Sequence, residues 1–161
     1  MAKVHSVIHG TFTVPADLAA PPDRVFAAYA EQDQRSRWFR MPGRTHYELD
    51  FRVGGHEVSR GVFAPMGEEE RLDYRATFSD IVPGERVVLS YALSVNEVRR
   101  WVSLVTIELA PADGGTRLRH TEQYAFLAYT ADGSDDTAHL RGGTRLQLNA
   151  LAAALTRTEV P

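Results

Sequence analysis

From Thr45 the chain alternates. Tyr47, Leu49, Phe51 and Val53 are apolar, and His46, Glu48, Asp50 and Arg52 between them are polar. A period of two predicts a strand with one face buried. Gly54-Gly55 follows and predicts a two-residue hairpin turn, which pairs Val53 with His56, Arg52 with Glu57, Phe51 with Val58 and Leu49 with Arg60. In that register Arg52 and Glu57 meet on the polar face, and Arg60 shares the face of Leu49 and Phe51. Further strands are predicted over 71–80, 86–93, 100–109 and 116–126, joined through Pro83-Gly84, Asn96 and Gly114-Gly115. Upstream, 7–18 reads as a strand with Phe12, Val14, Ala16 and Leu18 on one side. Pro15 cannot donate to a ladder and predicts a bulge or an unpaired position there. Pro21-Pro22-Asp23 opens a helix with Val25, Phe26 and Tyr29 as its apolar stripe, and a second short helix covers 34–39. At the far end Leu140, Thr144, Leu148, Leu151 and Leu155 recur at helical spacing. They predict one long helix entered through Gly142-Gly143, with Thr144 as N-cap, after a small, acidic loop over 130–137.

The predicted order is strand, two helices, six strands, helix. A run of antiparallel strands must bury one face, and the terminal helix is the available cover. One helix is about 10 Å across, narrower than the concavity of a strongly twisted sheet. A hollow between sheet and helix is therefore expected.

The 161 residues fit one domain, taken as 1–161 with its core at about 8–157, and no internal repeat breaks it. Hydrophobic residues at 43% and charged residues at 24% are ordinary for a globular chain. A net charge of −3 argues against a protein that grips nucleic acid. No apolar run approaches the ~18–20 residues of a membrane span, and the first residues lack the apolar stretch of a secretory signal. With no cysteine, thiol chemistry and disulfides are excluded, and a cytoplasmic location is expected.

Ala20-Pro21-Pro22-Asp23-Arg24-Val25-Phe26, Trp38-Phe39 and Asp50-Phe51-Arg52-Val53-Gly54-Gly55 resemble the START-like (SRPBCC) superfamily. Within it they look most like the activator-of-heat-shock-protein-90-ATPase homologue group. Val105-Thr106-Ile107-Glu108-Leu109, Gly115-Thr116-Arg117-Leu118 and Thr121-Glu122 match that group's last two strands. The resemblance implies an α+β helix-grip fold, in which a curved seven-stranded antiparallel sheet wraps around a long C-terminal helix and two short helices follow strand 1. It also implies an enclosed apolar or amphipathic small molecule. Many relatives carry Gly-Trp at the entry to the last helix; here Gly142-Gly143-Thr144 stands instead.

The parity set by Leu118 and Phe126 turns His120, Glu122 and Tyr124 inward and leaves Arg117, Arg119, Thr121 and Gln123 outside. His120 and Glu122 then enter an apolar hollow, where they can satisfy each other, pair with Arg60, contact a ligand, or act as acid and base in a cyclase- or hydrolase-type reaction. Arg60 can clamp a ligand carboxylate or balance Glu122. The remaining candidates for a ligand wall are Trp38, Phe39, Tyr47, Leu49, Phe51, Tyr74, Phe78, Tyr91, Trp101 and Leu148. Tyr91 and Tyr124 are the preferred pocket tyrosines. Arg35, Arg37, Arg40 and Arg44 read as a solvated helix face, or as a basic rim at a cavity mouth. Entry to the hollow is expected through movement of 34–45 or of 130–143.

The six histidines form no helical pair around a glutamate, and neither a metal nor a cofactor is expected. No glycine pair stands in a phosphate-loop frame, and no nucleophile elbow is present. The alternative to small-molecule binding or catalysis is a protein-interaction module, acting on a chaperone or on a second copy of itself as a homodimer.

Overall fold

The computed structural model describes residues 6–157; His5, expected to be exposed, lies outside them. Strand β1 is Ile8–Leu18, followed by the short helices α1, Pro22–Ala30, and α2, Gln32–Trp38. Strands β2, Arg44–Leu49, β3, His56–Phe63, β4, Glu70–Val82, β5, Arg86–Val95, β6, Val98–Ala112, and β7, Gly115–Phe126, come next, and helix α3, Ser134–Thr156, closes the chain. The strands form one antiparallel sheet in the order β1-β7-β6-β5-β4-β3-β2. The sheet is curved and open, and the architecture is an α+β helix grip. Register shifts at Phe78/Asp80 and Leu93/Ser94 add local bend to the central strands. Among the described residues no helix is long and apolar enough to cross a membrane.

Three local expectations are corrected. The first is the β2–β3 register. β2 ends at Leu49, which pairs with Glu57, and Tyr47 pairs with Ser59. Gly54 and Gly55 do not form a two-residue turn. The Gly54 amide donates to the Phe78 carbonyl at 2.8 Å, and the Phe78 amide donates to the Gly55 carbonyl at 3.1 Å, so the pair is held against β4. A side chain on Gly55 would meet the Asp50 carbonyl at 2.1 Å, so this close approach needs glycine. Arg52 pairs with Asp50 at 2.8 Å rather than with Glu57. The register differs from expectation by an odd number of residues, and parity therefore inverts along β3. Glu57 points in and is fully buried, while Arg60 is exposed and turns away from the interior.

The second concerns Pro15. It pairs with Arg119 in an unbroken register, so there is no bulge. β1 is an edge strand. The Pro15 carbonyl faces away from β7 and accepts from Arg145 Nη1 at 2.8 Å. The missing amide lies on that same open side, where no ladder bond is lost.

The third concerns α3. It begins at Ser134, and Gly142 and Gly143 lie inside it. Thr144 is therefore not an N-cap; its hydroxyl donates to the Leu140 carbonyl at 3.2 Å. Gly133, at φ 81°, takes the N-cap position, and Asp135 and Asp136 occupy the first turn, where carboxylates complement the positive helix end. Asp136 also accepts from the Thr130 amide at 2.9 Å.

The backbone of α3 approaches β1, α1 and α2 and stands off the central strands. Its C-terminal half is packed solid: Leu151 and Leu155 are buried in one core with Val25, Val87, Leu109 and Leu118. Its N-terminal half carries Gly142, Gly143 and Thr144, too small to reach the sheet.

Candidate functional site

That difference in side-chain size along α3 leaves a cavity of about 810 Å³. One wall is the inward face of β4 to β7, including Tyr74, Leu89, Tyr91, Trp101, Val105, Ile107, His120 and Glu122. The facing wall is α3 through Leu140, Gly143, Thr144, Gln147 and Leu148, and one end is closed by Tyr29, Arg35, Trp38 and Phe39. The exposed residues Pro42, Phe63, Pro65 and His139 also line it, so it opens to solvent there.

Two buried carboxylates stand in this interior, each in its own network. Glu57 receives a forked pair from Arg35, Nε to Oε2 at 2.7 Å and Nη2 to Oε1 at 2.9 Å. Tyr47 donates to Oε2 at 2.5 Å and Tyr74 to Oε1 at 3.3 Å. The guanidinium lies over three rings, 3.9 Å from the Phe39 centroid, 4.6 Å from Trp38 and 5.1 Å from Tyr29. Burial alone would lower the Arg35 guanidinium, but the charge and hydrogen bonds of Glu57 outweigh it and hold the pKa above its ordinary value. Burial, and then the Glu57 charge, push the Tyr47 and Tyr74 phenols up. Among the described residues neither the Tyr29 hydroxyl nor that of Ser59 has a partner. This cluster is a closed ion pair.

Glu122, 2% exposed, is paired with no guanidinium among the described residues. Tyr91 donates to its Oε2 at 2.6 Å and Ser103 to the same oxygen at 2.7 Å. Trp101 Nε1 donates to the Tyr91 oxygen at 3.0 Å. His120 Nε2 stands 3.2 Å from Oε1. Burial, followed by the Glu122 charge, raises the Tyr91 phenol well above its usual range. The Tyr74 and Tyr91 rings, 4.9 Å apart, join the two networks.

Of the residues named from the sequence, Trp38, Phe39, Tyr74, Tyr91, Trp101, His120, Glu122 and Leu148 line this cavity. The others lie elsewhere. Tyr47 is bound to Glu57. Phe51 packs on Phe26 and Phe78, with centroids 5.5 and 5.0 Å apart, and belongs to the core beneath α1 together with Phe78 and Leu49. Tyr124 folds over Gly10, where an added Cβ would meet its hydroxyl at 2.1 Å, and packs on Phe12 and Phe126. Arg60 is on the outer face, so neither a ligand clamp nor a bond to Glu122 is open to it.

Arg35, expected on a solvated helix face or at a basic rim of the cavity mouth, is instead a buried cation. Its signal was the spacing Arg35-x-x-Trp38-Phe39, which puts a cation among aromatics on one face of a short helix. Glu57 and Ser103 carried no signal without the register. Among the described residues no three histidine or acidic side chains gather as metal ligands.

The model of the family described as Activator of Hsp90 ATPase homolog 1-like protein matches residues 19–156. The Mll3558 protein from Rhizobium loti is similar at 44% identity over 94% of this chain and 100% of its own, with a TM-score of 0.81. A protein from Rhizobium leguminosarum shares 34% identity over 95% of this chain and 98% of its own, also with a TM-score of 0.81. The CV1439 protein from Chromobacterium violaceum, at 24% identity over 92% of this chain and 99% of its own, shares the fold with a TM-score of 0.67. No curated protein matches the chain.

Proposed function

Because the chain belongs to the Activator of Hsp90 ATPase homolog 1-like protein family, whose fold is generally one that binds hydrophobic ligands, we propose that it holds an apolar or amphipathic small molecule between the sheet and α3. The reading rests on one observation: a cavity of about 810 Å³ with largely apolar walls that reach a hydrogen-bonded carboxylate, Glu122. Pockets for small organic ligands commonly span roughly 300–1,000 Å³. Removal of the ligand's apolar surface from water drives binding, at about 25 cal/mol per Å² before ordering costs are subtracted. The His120–Glu122 end fixes orientation. Entry runs past Pro42 and His139, which lie in the two segments singled out from the sequence as gates.

The test is native mass spectrometry of the purified protein, followed by calorimetry against lipids, aromatics and polyketide-like compounds. A small molecule is expected to copurify or to bind from the panel. Gly143→Leu is the matched variant, because a Cβ there meets nothing within 4 Å and the residue lines the cavity. It is expected to fold and to weaken binding by about tenfold or more. A wild-type protein that retains and binds nothing, or binding indifferent to Gly143→Leu, overturns the reading.

A further inference from the structure

We infer that His120 is a proton acceptor for an acidic hydroxyl on the ligand, a phenol or enol carried on an apolar ring. The inference rests on the cavity-binding reading and names the ligand class that the polar end of that cavity takes.

Glu122 holds the polar end of the cavity in place through three contacts. Two hydroxyls, of Tyr91 and Ser103, direct their protons at Oε2, and the imidazole of His120 approaches Oε1. With Tyr91 and Ser103 both donating to this carboxyl group, the matching role for Nε2 is to donate to Oε1. In the imidazole tautomer that donates through Nε2, Nδ1 carries the lone pair. Nδ1 bonds to no group among the described residues, and it is not one of the sealed, unpartnered polar atoms, which are Tyr29 Oη and Ser59 Oγ. The imidazole side chain is 14% exposed and lines the cavity. Its plane lies 6° from that of Phe12 with centroids 6.5 Å apart, so the ring is set from behind as well as through Glu122. The result is an oriented imidazole with an unbonded nitrogen, on a side chain that lines the cavity.

The charges around it agree. Arg35 is committed to Glu57, and Arg100 is paired with Asp136 at 3.4 Å. In register, His120 is flanked by Val14 on β1 and Ile107 on β6, neither of which titrates. Across the cavity α3 presents Thr144 and Leu148, while Glu70 and His139 also line it. His120 is thus the group beside Glu122 that can take up a positive charge. When the ligand O–H meets Nδ1, the O–H bond breaks, an N–H bond forms, and the electron pair stays on the ligand oxygen. The line then reads oxyanion, imidazolium, carboxylate, with alternating sign and an unchanged total. Fixed opposite charges beside a buried carboxylate and apolar walls stabilise such a line more than bulk water does. A capped hydroxyl cannot do this, and neither can a plain hydrocarbon.

The experiment uses 7-hydroxycoumarin and 7-methoxycoumarin, which share a ring and differ in that proton. Both are titrated by fluorescence at a pH where the free hydroxycoumarin is chiefly neutral. The hydroxyl compound is expected to bind about tenfold tighter or better, and to show the absorption and excitation band of its anion once bound. His120→Gln is expected to remove that band and to level the two affinities. Should that variant fail to fold, the wild-type protein with ¹⁵N-labelled histidine decides. The Nδ1 resonance of His120 is expected to move from the bare to the protonated position with the hydroxycoumarin, and to stay put with its methyl ether. Equal affinities without an anion band, a band that survives in His120→Gln, or an unmoved Nδ1 overturns this inference and leaves the cavity reading standing. Binding of neither coumarin overturns the inference and counts against the cavity reading as well.

Discussion

Glu57 and Glu122 are both sealed from water, at 0% and 2% exposure, yet they have opposite settings. Glu57 is matched by a fork from Arg35 and capped by two tyrosines, so it is spent on structure. Removing one partner of such a buried pair strands the other charge. Arg35→Met is expected to lower the unfolding free energy by about 3–5 kcal/mol, read from the denaturant midpoint. Replacing Arg35 and Glu57 together by apolar residues is expected to recover much of that loss, because no charge is then left alone. At this scale the chain announced Glu122 and concealed Glu57. The alternation of β7 is unbroken from Leu118 to Phe126, so the inward turn of Glu122 could be read from its neighbours. Glu57 follows a loop whose length the local pattern did not reveal, and it was assigned to the wrong face.

Elements show the same division. Strands β4 to β7 were legible because period-two runs end at Pro83-Gly84, Asn96 and Gly114-Gly115, and each of these is a turn in the structure. The 50–55 segment was not. Gly54-Gly55 there serves a long-range contact with Phe78, which no local rule contains. Helix α3 is the converse case. A glycine pair read as a helix entry is tolerated mid-helix, because Leu148, Leu151 and Leu155 are buried and the flanking helix is rich in alanine and leucine. Those glycines still weaken the helix by roughly 0.5–1 kcal/mol each relative to alanine. Space beside Gly142 is open to a Cβ. Gly142→Ala is therefore expected to raise stability by about that amount, measured as an upward shift of the thermal midpoint.

For the molecule as a whole, the sheet carries polar tips into its own interior. Burial, first of all, raises the phenols of Tyr29, Tyr74 and Tyr91, and nearby carboxylate charge adds to it. The folded state therefore keeps protons that the unfolded chain releases near its ordinary value of 10.0. Stability is full below that pH and falls above it, by up to ~1.4 kcal/mol per pH unit for each such tyrosine. Alkaline titration is expected to show these phenols ionising together with loss of near-ultraviolet circular dichroism. Ionisation of all of them in an intact fold would contradict their burial. The sequence alone determined the element order, the antiparallel sheet, the terminal helix and the inward face of β7, because each follows from a period of two or of 3.6 and from nearby breakers. Only the tertiary structure decided the β2–β3 register, and with it that Glu57 is inside and Arg60 outside. It also decided that Arg35 is a buried cation and that α3 leaves its glycine-bearing half clear of the sheet. Those outcomes depend on contacts between residues far apart in the chain, which a local pattern, even the Arg35-x-x-Trp38-Phe39 spacing, does not decide.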